Sequence, residues 1–244
     1  MNTIDINCDV GEGVGNEEQL MPLINSCNIA SGGHAGDVHT MLEVVRLAKQ
    51  HKVKIGAHPS YPDRLNFGRK PMSISMPELQ KSLKDQLQAF QSIVHSENTK
   101  IHHIKAHGAL YNQIARDEAL AEVYLEALQD YQNRTFLYVP YRSAIAKIAL
   151  RKGFSVRYEA FGDRNYNPDL SLVSRQLENA LIHAPERVLQ HLLPIIKENR
   201  VFTVSEKYTE IKADTVCIHG DTSSALQILM YLSQELPKHG VQLA

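Results

Sequence analysis

Residues 4–9, IDINCD, alternate without a break: Ile4, Ile6 and Cys8 fall on one side, Asp5, Asn7 and Asp9 on the other. Successive side chains of a β-strand point to opposite faces, so this stretch reads as a strand with one apolar and one polar face. The split recurs along the chain. Lys54 and His58 oppose Val53, Ile55 and Ala57; His103, Lys105 and His107 oppose Ile104 and Ala106; Arg157 and Glu159 oppose Phe154, Val156 and Tyr158; His219 opposes Val216 and Ile218. A doubly wound sheet, covered by helices on both faces, would show nearly continuous apolar strands. A closed barrel fits instead, with helices over the apolar face and a polar lumen.

Over the whole chain, β-like runs at 4–9, 27–30, 53–58, 101–107, 135–139, 154–159 and 215–219 alternate with longer helical patterns, the signature of a parallel sheet. About seven strands predict a distorted TIM-like (β/α)7 barrel, with 1–244 as one domain. Ser75 and Glu78 form a capping box ahead of Leu79, Leu83 and Leu87, and Leu120, Val123, Tyr124, Ala127, Leu128 and Tyr131 make one apolar stripe. Gly153 suits the position just past a helix end, and Pro185 suits a first turn. Pro194 predicts a kink or an early stop. Two connections, 59–72 and 161–183, are unusually long, and long loops in compact domains tend to carry function.

The composition narrows the function classes. The 244 residues hold 26 Lys+Arg against 27 Asp+Glu, a formal net charge of −1, so nothing favours a nucleic-acid backbone or an anionic membrane surface. Three unclustered cysteines, Cys8, Cys27 and Cys217, argue against a disulfide framework or a cysteine zinc site. The start, MNTIDINCDVGEG, has no basic and apolar leader pattern, and no apolar run is long enough to span a bilayer. A soluble cytoplasmic protein is expected.

In parallel barrels reactive groups gather at the C-terminal strand ends and in the loops beyond them. There this chain places Asp9 with Glu12 in a glycine-rich turn, Asn28 leading to His34 and Asp37, His58, then Lys105 and His107 followed by Tyr111 and Asn112, Glu159 with Asp163 and Arg164, and His219 with Asp221. Lys105 on the lumen face must pair with a carboxylate such as Asp9 or Glu159, or meet an anionic ligand. The turn GEGVG does not match GxGxxG, no GxxxxGK[ST] occurs, and no serine lies in a GxSxG elbow. His34, His58, His107 and His219 with Asp9 are ligands that zinc or manganese accepts. No HExxH or comparable local spacing supports them, so a stoichiometric structural zinc is not expected, while a weaker divalent site at the barrel mouth stays open. Histidines 39, 51, 95, 191 and 239 fall on helices or their ends and are expected at the surface.

Six ordered strings, DINCDVGEG, NIASGGHAGD, IGAHPSYPDRLNFGRK, HIKAHGALYN, AFGDRNY and CIHGDTSSAL, make the chain resemble the LamB/YcsF family over nearly its whole length. The resemblance implies a barrel related to those of glycosidases and deacetylases. It also implies ATP-dependent hydrolysis of the lactam of 5-oxoproline to glutamate, carried out with 5-oxoprolinase subunits B and C, with ATP and Mg2+ used in the assembled complex. On that reading Lys105 and Lys54 balance anionic charge, Asp9 or Glu12 is the base, His58, His107 or His219 is the acid, and Asn28, Asn112 and Asp221 hold substrate or orient imidazoles. Ser31 and Gly33 stand where the family usually has Cys and Phe, and Ala106 where it has Pro; the small Gly33 is expected to widen the pocket. The rival readings are a free-standing metal-dependent deacetylase or amidase, and a noncatalytic module that binds a lactam or a sugar.

Overall fold

The alternation along β1 (Asn2–Val10) sets the layers. In the computed structural model, which describes residues 2–244, Ile4, Ile6, Cys8 and Val10 are buried in the apolar layer between barrel and helices. Asp5, Asn7 and Asp9 are equally buried but enter the polar networks of the lumen. The chain continues through α1 (Glu17–Leu20), β2 (Ser26–Ala30), α2 (Val38–Gln50), β3 (Lys54–His58), α3 (Met76–Ser96) and β4 (His103–Ile104). After α4 (Gly108–Ile114) and α5 (Glu118–Ala127) come β5 (Phe136–Pro140), α6 (Ala144–Arg151), β6 (Ser155–Phe161) and α7 (Pro185–Glu198). A hairpin, β7 (Arg200–Phe202) and β8 (Tyr208–Glu210), precedes β9 (Thr215–Ile218), α8 (Ala225–Lys238) and β10 (Val241–Leu243).

Seven parallel strands, in the order β1-β2-β3-β4-β5-β6-β9, close into a barrel when β9 pairs with β1 from Asp5 opposite Thr215 to Cys8 opposite Ile218. The expected (β/α)7 barrel is therefore present. Short β10 adds in parallel to the first residues of β1. The hairpin and β10 have no counterpart in the sequence reading, because three-residue strands carry no readable alternation. The fourth expected strand shrinks to His103–Ile104: past Ile104 the backbone keeps bonds only toward β3, Lys105 N to Ala57 O at 3.0 Å and His107 N to Pro59 O at 2.9 Å.

Helix α3 shows how the outer layer is held. Ser75 accepts from the Glu78 N–H while the Glu78 side chain accepts from the Ser75 N–H, and Leu79, Leu83, Leu87 and Phe90 are then fully buried. Each such leucine contributes about 1.5–3 kcal/mol by leaving water. Gly153, at φ +83°, follows α6 as expected. Pro194 does not stop α7, which runs on to an Asn199 cap in the left-handed region at φ 53°. The proline removes one N–H, but Leu189, Leu192 and Ile195 bury the same face on either side of it and hold the helix together.

The lower lumen, near the N-terminal strand ends, is a closed polar network. Ser26 and Thr215 hydroxyls donate to Asp5 Oδ2 at 2.6 and 2.7 Å, and Asn7 Nδ2 donates to Thr215 Oγ1 at 2.8 Å. Asn28 Nδ2 reaches Asn7 Oδ1 at 2.7 Å and accepts at its own oxygen from His103 Nε2 at 2.8 Å. His103 stacks on Tyr138 with centroids 3.9 Å apart and crowds Gly56, where a Cβ would lie 2.1 Å from the His103 Nε2. Only glycine leaves room for that ring.

Candidate active site at the barrel mouth

Lys105 is the floor of the mouth. Its Nζ lies 2.9 Å from Asp9 Oδ1, 2.9 Å from Glu159 Oε1 and 3.1 Å from Cys217 Sγ, under the Phe161 ring at 5.3 Å. Burial alone pushes the ammonium down, but Asp9 and the other neighbouring groups outweigh it and hold Lys105 well above its ordinary value. Asp9 mirrors it. Burial raises the carboxyl, Lys105 and then His58 lower it further, and it ends well below the usual carboxylate range. The pairing left open by the sequence is thus made to both carboxylates at once.

Beside this floor stand three imidazoles and a carboxylate. His58, ending β3, donates Nδ1–H to Lys105 O at 2.9 Å, which leaves Nε2 without a backbone partner, 3.1 Å from His107 Nδ1 and 3.5 Å from Asp9 Oδ2. His107, at the N-cap of α4, donates Nε2–H to Phe67 O at 2.9 Å, so its Nδ1 has no backbone partner either and lies 3.3 Å from Glu12 Oε1. His34 stacks on His107 with centroids 3.5 Å apart and sets Nε2 2.8 Å from the same Glu12 oxygen. Burial, then His58, push His34 down to about 2, and burial with His34 holds His107 well below its ordinary value. Burial and then the charge of Asp9 push Glu12 up to about 7. Ligand-capable atoms of Glu12, His34, His58 and His107 all lie within 4.8 Å of one another.

Across the cavity His219 is fixed by its neighbour. Asp163 accepts from His219 Nδ1 at 2.9 and 3.0 Å, from the His219 backbone N–H at 3.1 Å and from Thr222 Oγ1 at 3.0 Å. Burial raises Asp163, but the charge and hydrogen bonds of His219 win and bring it down to about 2. His219 lines the cavity and stacks on Phe161. With Nδ1 committed, Nε2 is the nitrogen left for chemistry.

The cavity, about 390 Å³, is bounded by Asp9, Glu12, His58, Lys105, His107 and His219 below and by Arg69, Lys70, Arg164 and Arg175 toward the rim. Both long connections supply walls. Residues 59–75 bring Arg69 and Lys70, and 162–184 bring Arg164 and the segment 172–176. Tyr111 and Asn112 of α4 also face it. Tyr111 Oη and Glu159 Oε2 are buried without a well-formed hydrogen bond among the described residues.

Several expected site residues stand behind the cavity rather than in it. Asn28 holds Asp9 Oδ1 at 2.8 Å from below, His34 backs Glu12 and His107, and Asp163 backs His219. Asp221 pairs with Arg69 at the rim. Arg164 lines the cavity but spends its guanidinium on the Val173 and Ala180 carbonyls, pinning its own loop, and burial pulls it down to about 10. Two residues belong elsewhere. Asp37 is the exposed N-cap of α2, accepting from Thr40 N at 2.8 Å. Lys54 starts β3 at the opposite barrel end, 3.1 Å from Asp5. Strand alternation gives its face correctly but not its depth.

Two further expectations fail. His191 is buried, with Nε2 3.2 Å from Phe161 O, because the inner face of α7 carries it against β6. Gly33 does not widen the cavity: it faces Ser60 and Gln86, and Gln86 fills that space by bonding the Ser60 backbone at 3.0 and 2.9 Å. Phe161 and Cys217 join the site without being singled out in the sequence, although alternation with Glu159 and with Thr215 turns both inward. Phe67 and Arg69 have no comparable signal, since a loop has no period.

The LamB/YcsF family model matches residues 4–244. The A component of 5-oxoprolinase from Shouchella clausii is 42% identical over 99% of this chain and 97% of its own. The A component of 5-oxoprolinase from Campylobacter jejuni is 40% identical over 100% and 97%. Among solved structures, the lactam utilization protein of Thermus thermophilus superposes with a TM-score of 0.91 at 32% identity, covering 99% of this chain and 98% of the other. The chain belongs to the LamB/YcsF family.

Proposed function

We propose that this chain is the A component of an ATP-dependent 5-oxoprolinase, a cytoplasmic enzyme in which it binds 5-oxoproline and opens its lactam together with subunits B and C. The carrying observation is one cavity with Arg69, Lys70 and Arg175 at its rim and a fixed His219 beside the Asp9–Lys105 pair at its floor. 5-Oxoproline is a small ring with one carboxylate and one amide. The rim cations suit the carboxylate, Phe161 gives the ring an apolar wall, and the amide then lies at the polar floor.

Opening an unactivated amide requires water to add to the carbonyl carbon, polarisation of the carbonyl, and a proton for the nitrogen that leaves as the C–N bond breaks. The Lys105 ammonium supplies fixed positive charge below the carbonyl, and His219 Nε2, oriented by Asp163, is placed to move the proton. Asp9, held deprotonated by Lys105, is a weak base and serves as a charged anchor. ATP with Mg2+ would activate the carbonyl oxygen by phosphorylation, but this chain's glycine-rich turn does not suit a triphosphate. The Gly11 N–H already donates to Glu17 Oε1 at 3.0 Å, and the helix that follows opens with Glu17 and Glu18. In this reading the nucleotide is handled in the partner subunits.

Glutamate release from 5-oxoproline is the test, measured with this chain alone and with subunits B and C, each with and without MgATP. Turnover is expected only in the complete mixture with ATP, and His219→Asn in that mixture is expected to lower kcat by about 10²–10⁴-fold. Robust release by the isolated chain without ATP would move the assignment to a free-standing amidase. Undiminished release by B and C without this chain would remove it from the reaction.

A further inference from the structure

We propose that Glu12, His34, His58 and His107 form a binding site for one divalent transition-metal ion of the zinc class. The inference does not depend on the lactam reading, because it rests on where four donor atoms point.

The first argument is tautomeric. Backbone carbonyls only accept, so Lys105 O and Phe67 O fix the protons of His58 on Nδ1 and of His107 on Nε2. The two remaining nitrogens, His58 Nε2 and His107 Nδ1, face each other at 3.1 Å, and with both rings neutral they meet as lone pair against lone pair. Two neutral imidazoles repel in that arrangement unless a cation lies between them. Outer hydrogen bonds of this kind, from the far nitrogen of each ring to a carbonyl, are how proteins orient metal-binding histidines.

Spacing is the second argument. A zinc-class ion about 2.0–2.2 Å from nitrogen and oxygen ligands sets those ligands roughly 3.0–3.5 Å apart. The measured separations are 3.1 Å for His58 to His107, 3.3 Å for His107 to Glu12 and 2.8 Å for Glu12 to His34. Three imidazoles with one carboxylate are a donor set that this class of ion accepts. The His34 Nδ1 is buried without a partner, so that ring's polar engagement is on the Glu12 side alone.

Charge is the third. With Glu12 ionised, the floor holds the carboxylates of Glu12, Asp9 and Glu159 against the single ammonium of Lys105. Two net negative charges in a buried site are costly, and a divalent cation matches them. The neighbouring group of Asp9, Cys217 and His219 is the weaker candidate. The Lys105 ammonium already stands 2.9 Å from Asp9 and 3.1 Å from Cys217, and burial keeps the Cys217 thiol protonated. The four ligands come from the ends of four different strand–loop segments, so no local motif announces them, and the expectation from local spacing that no stoichiometric zinc is bound gives way here to a site assembled across strands.

Chelator-stripped full-length chain titrated with Zn2+ alone, and analysed for metal after dialysis, tests the site. One equivalent is expected to be retained. Glu12→Gln and His107→Gln are each expected to weaken binding by at least about 100-fold, while His39→Gln on the exposed face of α2 leaves it unchanged. Co2+ bound to the unaltered chain covers the case in which a variant fails to fold: nitrogen- and oxygen-ligated d–d bands without a sulfur charge-transfer band are expected. Absence of stoichiometric binding would overturn the proposal and assign the gap between His58 and His107 to a shared proton. Binding lost in Cys217→Ser or His39→Gln, or a sulfur band with Co2+, would overturn it equally.

Discussion

The two ends of the barrel lumen are both buried and both polar, yet they are built differently. At the lower end Asp5, Asn7, Ser26, Asn28, His103 and Thr215 all find hydrogen-bond partners in one another. At the mouth Tyr111 Oη, Glu159 Oε2 and His34 Nδ1 make no well-formed hydrogen bond among the described residues, and two imidazole nitrogens face each other at 3.1 Å. A buried polar group left without a partner costs about 1–3 kcal/mol, so a chain that saturates one end and not the other is accepting that cost at the end where it meets ligands. The lower lumen specifies the barrel, and the mouth does the chemistry.

Lys105→Met is the hardest blow to this division. Lys105 is 2% exposed and neutralises two carboxylates. Removing it strands Asp9 and Glu159 together, and a loss of about 3–5 kcal/mol is expected in denaturant unfolding. Near-native unfolding with turnover abolished would instead make the pair purely catalytic. Asp5→Ala is the matching change at the other end. It leaves the Ser26 and Thr215 hydroxyls without their acceptor and should cost about 2–4 kcal/mol, with activity per folded molecule retained. If activity fell by orders of magnitude in properly folded Asp5→Ala, the lower lumen would belong to the active site and the comparison would fail.

An effect confined to acid, and absent at neutral pH, concerns His191, behind the mouth wall between Phe161 O, the Tyr166 ring and the charge of Asp163. Burial pulls it from 6.5 to about 4. The unfolded chain therefore takes up a proton near pH 6.5 that the folded chain refuses until about pH 4, and stability is lost as pH falls through that window. His191→Gln keeps a donor for Phe161 O and removes the titration. Between pH 6.5 and 4 it should flatten the acid loss of stability by up to about 1.4 kcal/mol per pH unit. Parallel acid limbs in the two proteins would show that His191 is not buried as described.

Legibility follows periodicity. Parity alone assigns Asp5, Asn7, Asp9, Lys105, Glu159 and His219 to the lumen face, and it equally turns Phe161 and Cys217 inward. It fails where a second coordinate is needed. Lys54 has the right face but the wrong end of its strand, Asp37 sits in a functional-looking string yet caps a helix, and His191 lies on a helix whose inner face parity does not identify. Loop residues such as Arg69, Lys70 and Arg175 carry no period at all, and their place above the cavity follows from where residues 59–75 and 162–184 come to rest.

The sequence by itself determined the parallel barrel, its polar lumen and the family, because alternation and ordered motifs are properties of neighbours along the chain. Only the tertiary structure decided that Lys105 serves two carboxylates, that Asp163 orients His219, and that Glu12 meets three histidines. Those contacts join residues far apart in sequence: Lys105 is 96 positions from Asp9, and His219 is 56 from Asp163. Closure of β9 onto β1 brings the last strand of the barrel beside the first. Side-chain distances of about 3 Å, on which charge, tautomer and coordination depend, exist only after that closure.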